Sequence, residues 1–175
     1  MILPITQLGQ PVLRGKASPV SKKTLRQMRP LIQAMIQTMH KARGVGIAAP
    51  QVGKSLRLFI VAPQPSVRYP HAPRMKPVAM INPRLIKHSR AMNTGWEGCL
   101  SIPGIRGQVP RYTKIHIQFT SETGDLRSAV LTGFVARIFQ HEFDHINGRV
   151  FLDRVRNTRT LVTEREYRTR LQRKP

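Results

Sequence analysis

Residues 141–145 read His-Glu-Phe-Asp-His, and this stretch constrains the fold more than any other. Residues four apart share one face of an α-helix, so the two imidazoles can bind one metal ion. Phe134 and Ile138 continue that face, which is therefore expected to point into the interior. Two core histidines bonded to backbone carbonyls would be the alternative, but Glu142 would then be a buried unpaired charge. The stretch predicts a metal site on a buried helix, with Glu142 beside a water on the ion.

A catalytic metal site of this kind needs a third protein ligand and one open position. The chain of 175 residues contains one cysteine, Cys99, within Trp-Glu-Gly-Cys-Leu-Ser-Ile-Pro-Gly at 96–104. A lone cysteine is commonly a small buried apolar residue, and this alternative stays open on spacing alone. A single cysteine excludes a disulfide framework and favours a reducing compartment.

A third run, Gly-Val-Gly-Ile-Ala-Ala-Pro-Gln at 44–51, follows a predicted helix and precedes a predicted strand. Phosphate-binding glycine loops have the opposite order, which argues against that role. Gln51 offers an amide donor that could stabilise an oxyanion, although the run by itself is also typical of a tight turn.

Together and in this order, the three runs closely resemble peptide deformylases. The opening at 8–14, Leu-Gly-Gln-Pro-Val-Leu-Arg, is also similar to that family's start, so the resemblance covers about residues 5–155. It implies a metal-dependent hydrolase that removes the formyl group from the N-terminal formylmethionine of nascent polypeptides and releases formate. A general metallopeptidase and a catalytically idle RNA-binding factor on the same fold are the competing hypotheses. The idle factor is disfavoured because Glu142 and all three ligand candidates are present.

The resemblance assigns the metal to Cys99, His141 and His145, with Fe²⁺ as the expected ion and Zn²⁺, Ni²⁺ or Co²⁺ able to substitute. Glu142 would take a proton from the metal-bound water and pass it to the leaving amine. The Gln51 side chain and the Leu100 backbone N–H would stabilise the oxyanion.

The substrate-binding residues are also implied by the resemblance. Gly46 would pair its backbone with the peptide as an added strand. The methionine side chain would contact Val45, Phe134, Arg137 and Ile138. Gly98 and Arg106 complete the set, and Arg106 would either pair with Glu97 to stiffen the Cys99 segment or reach the substrate.

The order of predicted elements indicates an α+β fold. Apolar residues spaced three and four apart within 21–42 predict a helix whose start Ser21 caps, with Pro30 kinking its first turns or marking a later start. Strands are predicted at 56–61, 78–81 and 115–119, the last in a hairpin with 126–131; a second helix covers about 132–147, and Thr163 caps a short terminal one. We expect antiparallel sheets around a central helix bearing 141–145, with an N-terminal helix and a short C-terminal helix. The predicted domains are a deformylase domain, 1–155, and a basic tail, 156–175.

The charge predicts a polyanionic partner. Lys and Arg number 30 against 8 Asp and Glu, a net charge of +22, and the first acid is Glu97. Such a surface favours binding to the ribosome through its basic face and tail, although solubility alone could explain it. With aromatic residues at only 6% of the chain, we expect no sequence-specific nucleic-acid binding. We also expect no membrane association, no signal peptide and a cytoplasmic or organelle-like location.

Overall fold

Two antiparallel sheets lie on either side of a buried helix in the computed structural model, which describes residues 1–66 and 69–172. The helices are α1 (Arg29–Lys41), α2 (Gly133–His145) and α3 (Glu164–Gln172). The strands are β1 (Gly46–Ala48), β2 (Leu58–Val61), β3 (Val78–His88), β4 (Met92–Cys99), β5 (Ile102–Tyr112), β6 (Lys114–Thr120), β7 (Leu126–Thr132) and β8 (Val162–Thr163). The predicted α+β class, with a central helix and two flanking ones, is confirmed.

The larger sheet has the order β1-β2-β3-β6-β7, and the smaller one has the order β4-β5-β8. All neighbouring strands are antiparallel. All four side chains of β2 are buried because both of its faces are covered, which explains its continuous apolar run. Strand β6 buries Ile115, Ile117 and Phe119 and alternates them with more exposed polar residues, as predicted.

Helix α1 starts later than its apolar pattern alone would suggest. A short 3₁₀ turn at Leu25–Met28 precedes it, and Pro30 lies in its first turn, where a missing N–H breaks no helical hydrogen bond. Met35 and Met39 are fully buried, so the methionine-rich face of this helix belongs to the core.

Helix α2 is held between the two sheets. Phe139 packs edge-on against Phe59 of β2, with ring centroids 5.2 Å apart. On the other side, the Gln140 side chain accepts from the Tyr112 N–H at 3.0 Å and donates to the Tyr112 carbonyl at 2.9 Å. The helix that carries residues 141–145 is thus fixed to the β5 strand as well as to the larger sheet.

Strands β4 and β5 form a long hairpin that the sequence patterns did not predict, because glycines and prolines interrupt any alternation of apolar residues. The described part of the predicted tail packs onto this hairpin. Strand β8 pairs with β5, and Tyr167 of α3 is buried against Trp96, with ring centroids 5.5 Å apart. The Glu166 N–H donates to Thr163 Oγ1 at 3.3 Å, in agreement with the predicted cap.

The two ends of the proline-rich segment 62–77 are hydrogen-bonded to each other. Gln64 Nε2 donates to the Met75 carbonyl at 2.8 Å, and the Met75 N–H donates to the Pro63 carbonyl at 3.1 Å. None of the helices in the described ranges is long and apolar enough to cross a membrane.

Candidate metal centre

The end of β4 and the last turns of α2 bring three metal-binding side chains together. The ligand atoms of Cys99, His141 and His145 all lie within 4.8 Å of one another. His145 is fully buried, and its Nε2 is 3.3 Å from Cys99 Sγ. One sulfur and two imidazole nitrogens suit a divalent transition metal, so the residues present fit the ion that the sequence implies.

Glu97 fixes the orientation of His141. The His141 Nδ1–H donates to Glu97 Oε2 at 2.9 Å, which leaves Nε2 as the nitrogen available to a metal. Burial alone would raise the pKa of Glu97, but the Arg111 charge and the bonds from His141 and Arg111 lower it below its usual range. Glu97 is therefore ionised and accepts from the imidazole.

Arg111, rather than Arg106, pairs with Glu97, so that alternative for Arg106 is wrong. Arg111 donates to both Glu97 carboxylate oxygens, at 2.9 and 3.0 Å, and to Asp144 Oδ2 at 2.5 Å. Burial would lower the pKa of Arg111, but Glu97 and Asp144 raise it, so it remains charged. Two buried acids indicate a cationic partner, yet nothing in the sequence shows which of the 30 basic residues it is.

Glu142 lies beside Gly46 with its carboxylate buried. A Cβ at Gly46 would lie 2.5 Å from Glu142 Oε1 and 2.9 Å from Ile138 Cγ2, so only glycine allows β1 to approach α2 this closely. Glu142 Oε2 has no hydrogen-bond partner among the described residues. Burial raises the pKa of Glu142 to about 7.

Gln51 is held with its amide nitrogen toward the metal ligands. Its Oε1 accepts from the Ala48 N–H at 2.8 Å, which assigns the two ends of the amide. Its Nε2 donates to Cys99 Sγ and to Ser101 Oγ, each at 3.3 Å. The amide nitrogen of Gln51 therefore lies next to Cys99, one of the three predicted metal ligands.

These side chains line a cavity of about 250 Å³ between β1, β4 and α2. His145 is fully buried and does not line this cavity. The other predicted site residues all line it: Val45, Gly46, Gln51, Gly98, Cys99, Leu100, Arg106, Phe134, Arg137, Ile138, His141 and Glu142. Arg137 also has a structural role, because its guanidinium donates to Glu97 Oε1 at 2.8 Å and to the Asn93 carbonyl at 2.6 Å.

Tyr69 and Glu164 also line the cavity, and the sequence patterns gave no sign of either. Tyr69 comes from the proline-rich segment, and Glu164 is the first residue of α3. Arg106 contacts both, with Nη1 donating to the Tyr69 hydroxyl at 3.0 Å and Nε donating to Glu164 Oε2 at 2.5 Å.

The sequence profile described as polypeptide deformylase matches residues 2–160. The chain belongs to the peptide deformylase family. Peptide deformylase 2 of Nostoc sp. (strain PCC 7120) is 55% identical over 166 residues, covering 95% of this chain and 93% of the relative.

Solved structures of deformylases share the fold. The class I type b peptide deformylase from Acinetobacter baumannii with Met-Ala-Ser bound has a TM-score of 0.87 and 44% identity, over 89% of this chain and 99% of that one. The Thermotoga maritima peptide deformylase has a TM-score of 0.80 and 37% identity, over 90% and 99%. The chain is thus an enzyme that removes the N-formyl group from nascent polypeptides, and the metallopeptidase and idle-factor hypotheses are wrong.

Proposed function

We propose that the cavity is the active site of this deformylase, with Cys99, His141 and His145 holding one Fe²⁺ ion. The convergence of one thiol and two imidazoles within 4.8 Å is the observation that carries the proposal. A divalent ion bound there supplies Lewis-acid polarisation of the formyl carbonyl and lowers the pKa of a coordinated water. The ordered Glu97–His141 bond supports the site, because such partners fix the tautomer of a ligating imidazole.

Glu142 moves the proton in this proposal. It adjoins His141 in the chain, is buried and lines the cavity, and its Oε2 is not bonded to any described protein group. It takes a proton from the attacking water and delivers it to the amine that leaves when the formyl C–N bond breaks. Exclusion of bulk water from the carboxylate prevents the proton from being lost to solvent.

Gln51 and Leu100 stabilise the oxyanion. Gln51 Nε2 is fixed by the Ala48 N–H at the other end of its amide, so the donor is preorganised. The Leu100 N–H follows Cys99 directly in the chain and is the second donor. Both belong to residues that line the cavity.

The peptide binds along β1, with Gly46 at the point of closest approach to Glu142. Strand β1 ends the order of the larger sheet, so one of its edges can accept an added strand. The methionine side chain contacts Val45, Phe134, Arg137 and Ile138, and the backbone passes Gly98 and Arg106. The Acinetobacter relative with Met-Ala-Ser bound supports a tripeptide as the test substrate.

Formate release is the test of this assignment. Anaerobically purified protein should release formate from formyl-Met-Ala-Ser, should not cleave Met-Ala-Ser, and should lose activity with a chelator and regain it with Fe²⁺. Metal analysis of Cys99→Ser and His145→Ala should show loss of the ion. Full activity after complete metal removal, or metal retained by both variants, would refute the site.

We also propose that the enzyme works in the cytoplasm and binds ribosomal RNA through its basic surface. Arg156, Arg159 and Arg165 are exposed, and a polyanion would bind them with release of counterions. Changing these three to Gln should weaken co-sedimentation with ribosomes and flatten its salt dependence. The matched control changes three exposed basic residues elsewhere, Lys22, Lys23 and Arg26, to Gln. An equal loss of co-sedimentation in both triple variants would show that residues 156–165 are not a specific anchor for the ribosome.

A further inference from the structure

Arg106 forms hydrogen bonds with two parts of the chain that lie outside the runs at 44–51, 96–104 and 141–145. Its Nη1 donates to the hydroxyl of Tyr69, and its Nε donates to the carboxylate of Glu164, both of which line the substrate cavity. A continuous set of contacts therefore leads from helix α3 to the cavity wall.

The guanidinium of Arg106 has little freedom to move. It is buried and lies across Gly98, where a Cβ would be 2.8 Å from its Cδ, Nε and Cζ atoms. Its Cζ is 5.2 Å from the ring centre of Tyr167, a buried residue of α3. A buried cation requires a paired anion, and Glu164 supplies it. Without Glu164, the guanidinium would lose the partner that sets its direction.

Tyr69 forms part of the cavity wall. Its ring is 4.9 Å from the ring of Phe134, which the proposed site places against the methionine side chain. Its backbone is fixed because the Tyr69 N–H donates to the Ser66 carbonyl at 3.0 Å and the Ala72 N–H donates to the Tyr69 carbonyl at 3.1 Å. Its side chain is set by Phe134 at the ring and by Arg106 at the hydroxyl.

We propose that Glu164 is a positioning residue for substrate binding, because through Arg106 it holds Tyr69 against Phe134 as a wall for the substrate's first side chain. This inference rests on the proposed placement of that side chain beside Phe134. Tyr69 and Glu164 make no hydrogen bond to Glu142, Gln51 or the metal ligands among the contacts of the described residues. Their loss therefore weakens binding of substrate and transition state alike, which raises KM and leaves kcat unchanged.

The kinetics of formyl-Met-Ala-Ser hydrolysis test the proposal. Glu164→Ala and Tyr69→Ala should each raise KM about tenfold, the order expected when a hydrogen bond to a charged group is lost, with kcat preserved. Tyr69→Phe keeps the ring on Phe134 and should raise KM less than Tyr69→Ala. Glu166→Gln is the matched control, because Glu166 is an exposed acid on the same helix, and its KM should equal that of the wild type. Circular dichroism melting identifies any variant that has lost its fold.

Two further measurements separate positioning from general destabilisation. The preference for formyl-Met-Ala-Ser over formyl-Ala-Ala-Ser should fall in Glu164→Ala, because a wall for the longer side chain is lost. The double variant Glu164→Ala with Tyr69→Ala should raise KM little more than the larger single change, because both act through one contact chain. An unchanged KM in Glu164→Ala, a loss confined to kcat, or fully additive effects would overturn the inference. Absence of formate release by the wild type would instead refute the proposed site.

Discussion

Replacing Arg111 by Met tests whether one buried guanidinium holds the metal-binding framework together. Arg111 is 4% exposed and donates to both oxygens of Glu97 and to Asp144. Removal of the cation would put a methionine of similar length between two buried carboxylates. Their remaining cationic partners would be Arg137 on Glu97 and the more exposed Arg154 on Asp144. Breaking a buried ion pair from one side costs about 3–5 kcal/mol, and because these two partners remain we expect the free energy of unfolding to fall by the low end of that range, about 3 kcal/mol.

Urea unfolding followed by circular dichroism measures this loss. At about 2–4 °C per kcal/mol for a domain of this size, the melting temperature should drop by roughly 6–12 °C. Metal affinity should fall about 10–100-fold as well, because Glu97 would lose two of the three arginine hydrogen bonds that hold it in place to accept from His141. Arg127→Met is the matched control. Arg127 and its partner Asp125 are both exposed, so this substitution should leave the free energy of unfolding unchanged.

A loss below about 1 kcal/mol in Arg111→Met would refute the view that this cation compensates the two acids, since a loss that small is typical of exposed pairs. The double variant Arg111→Met with Asp144→Asn gives an independent check. Because both changes break the same Arg111–Asp144 ion pair, the combined loss should be smaller than the sum of the single losses.

Three other changes have definite expected outcomes. Glu142→Gln should keep the metal, measured by elemental analysis, but lower kcat at least ~10²-fold, and full activity would assign the proton transfer elsewhere. Gly46→Ala should reduce formate release sharply, because the new Cβ would lie 2.5 Å from Glu142 Oε1, whereas Gly15→Ala, whose Cβ would meet only a carbonyl at 3.8 Å, should not. The iron form should lose activity faster in air than under argon, since a thiolate on an open iron site is oxidisable. Equal half-lives of the iron form in air and under argon would contradict this oxygen sensitivity.

The ligand-bearing helix could be predicted because its information is local. The i, i+4 spacing of His141 and His145 and the apolar face that continues through Ile138 describe one element only. The outcome is a buried helix between two sheets, as expected. The third ligand, Cys99, lies far from the two histidines in the sequence, so no local pattern connects it to them. On spacing alone, Cys99 could equally have been a buried apolar residue.

The arginine partner of Glu97 could not be predicted, because it depends on strand register. Glu97 lies opposite Gly107 in the β4–β5 pair, so Arg111, which is two pleats further along, shares its face of the hairpin. Arg106 has the opposite parity and lies across Gly98 instead. A prediction that did not identify this hairpin could not distinguish the two arginines.

The basic tail shows why counting charges does not identify function. Glu164 and Glu166 are two residues apart on α3 and contribute equally to the net charge. Glu166 is exposed, whereas Glu164 pairs with the buried Arg106 and lines the cavity. The difference arises because β8 pairs with β5 and places the start of α3 at Arg106, a non-local contact with no periodic signal in the sequence. A segment whose composition is typical of a solvated tail therefore supplies both a basic outer surface and one acid, Glu164, that positions the cavity wall. Substitutions that test the basic surface alone must leave Glu164 unchanged.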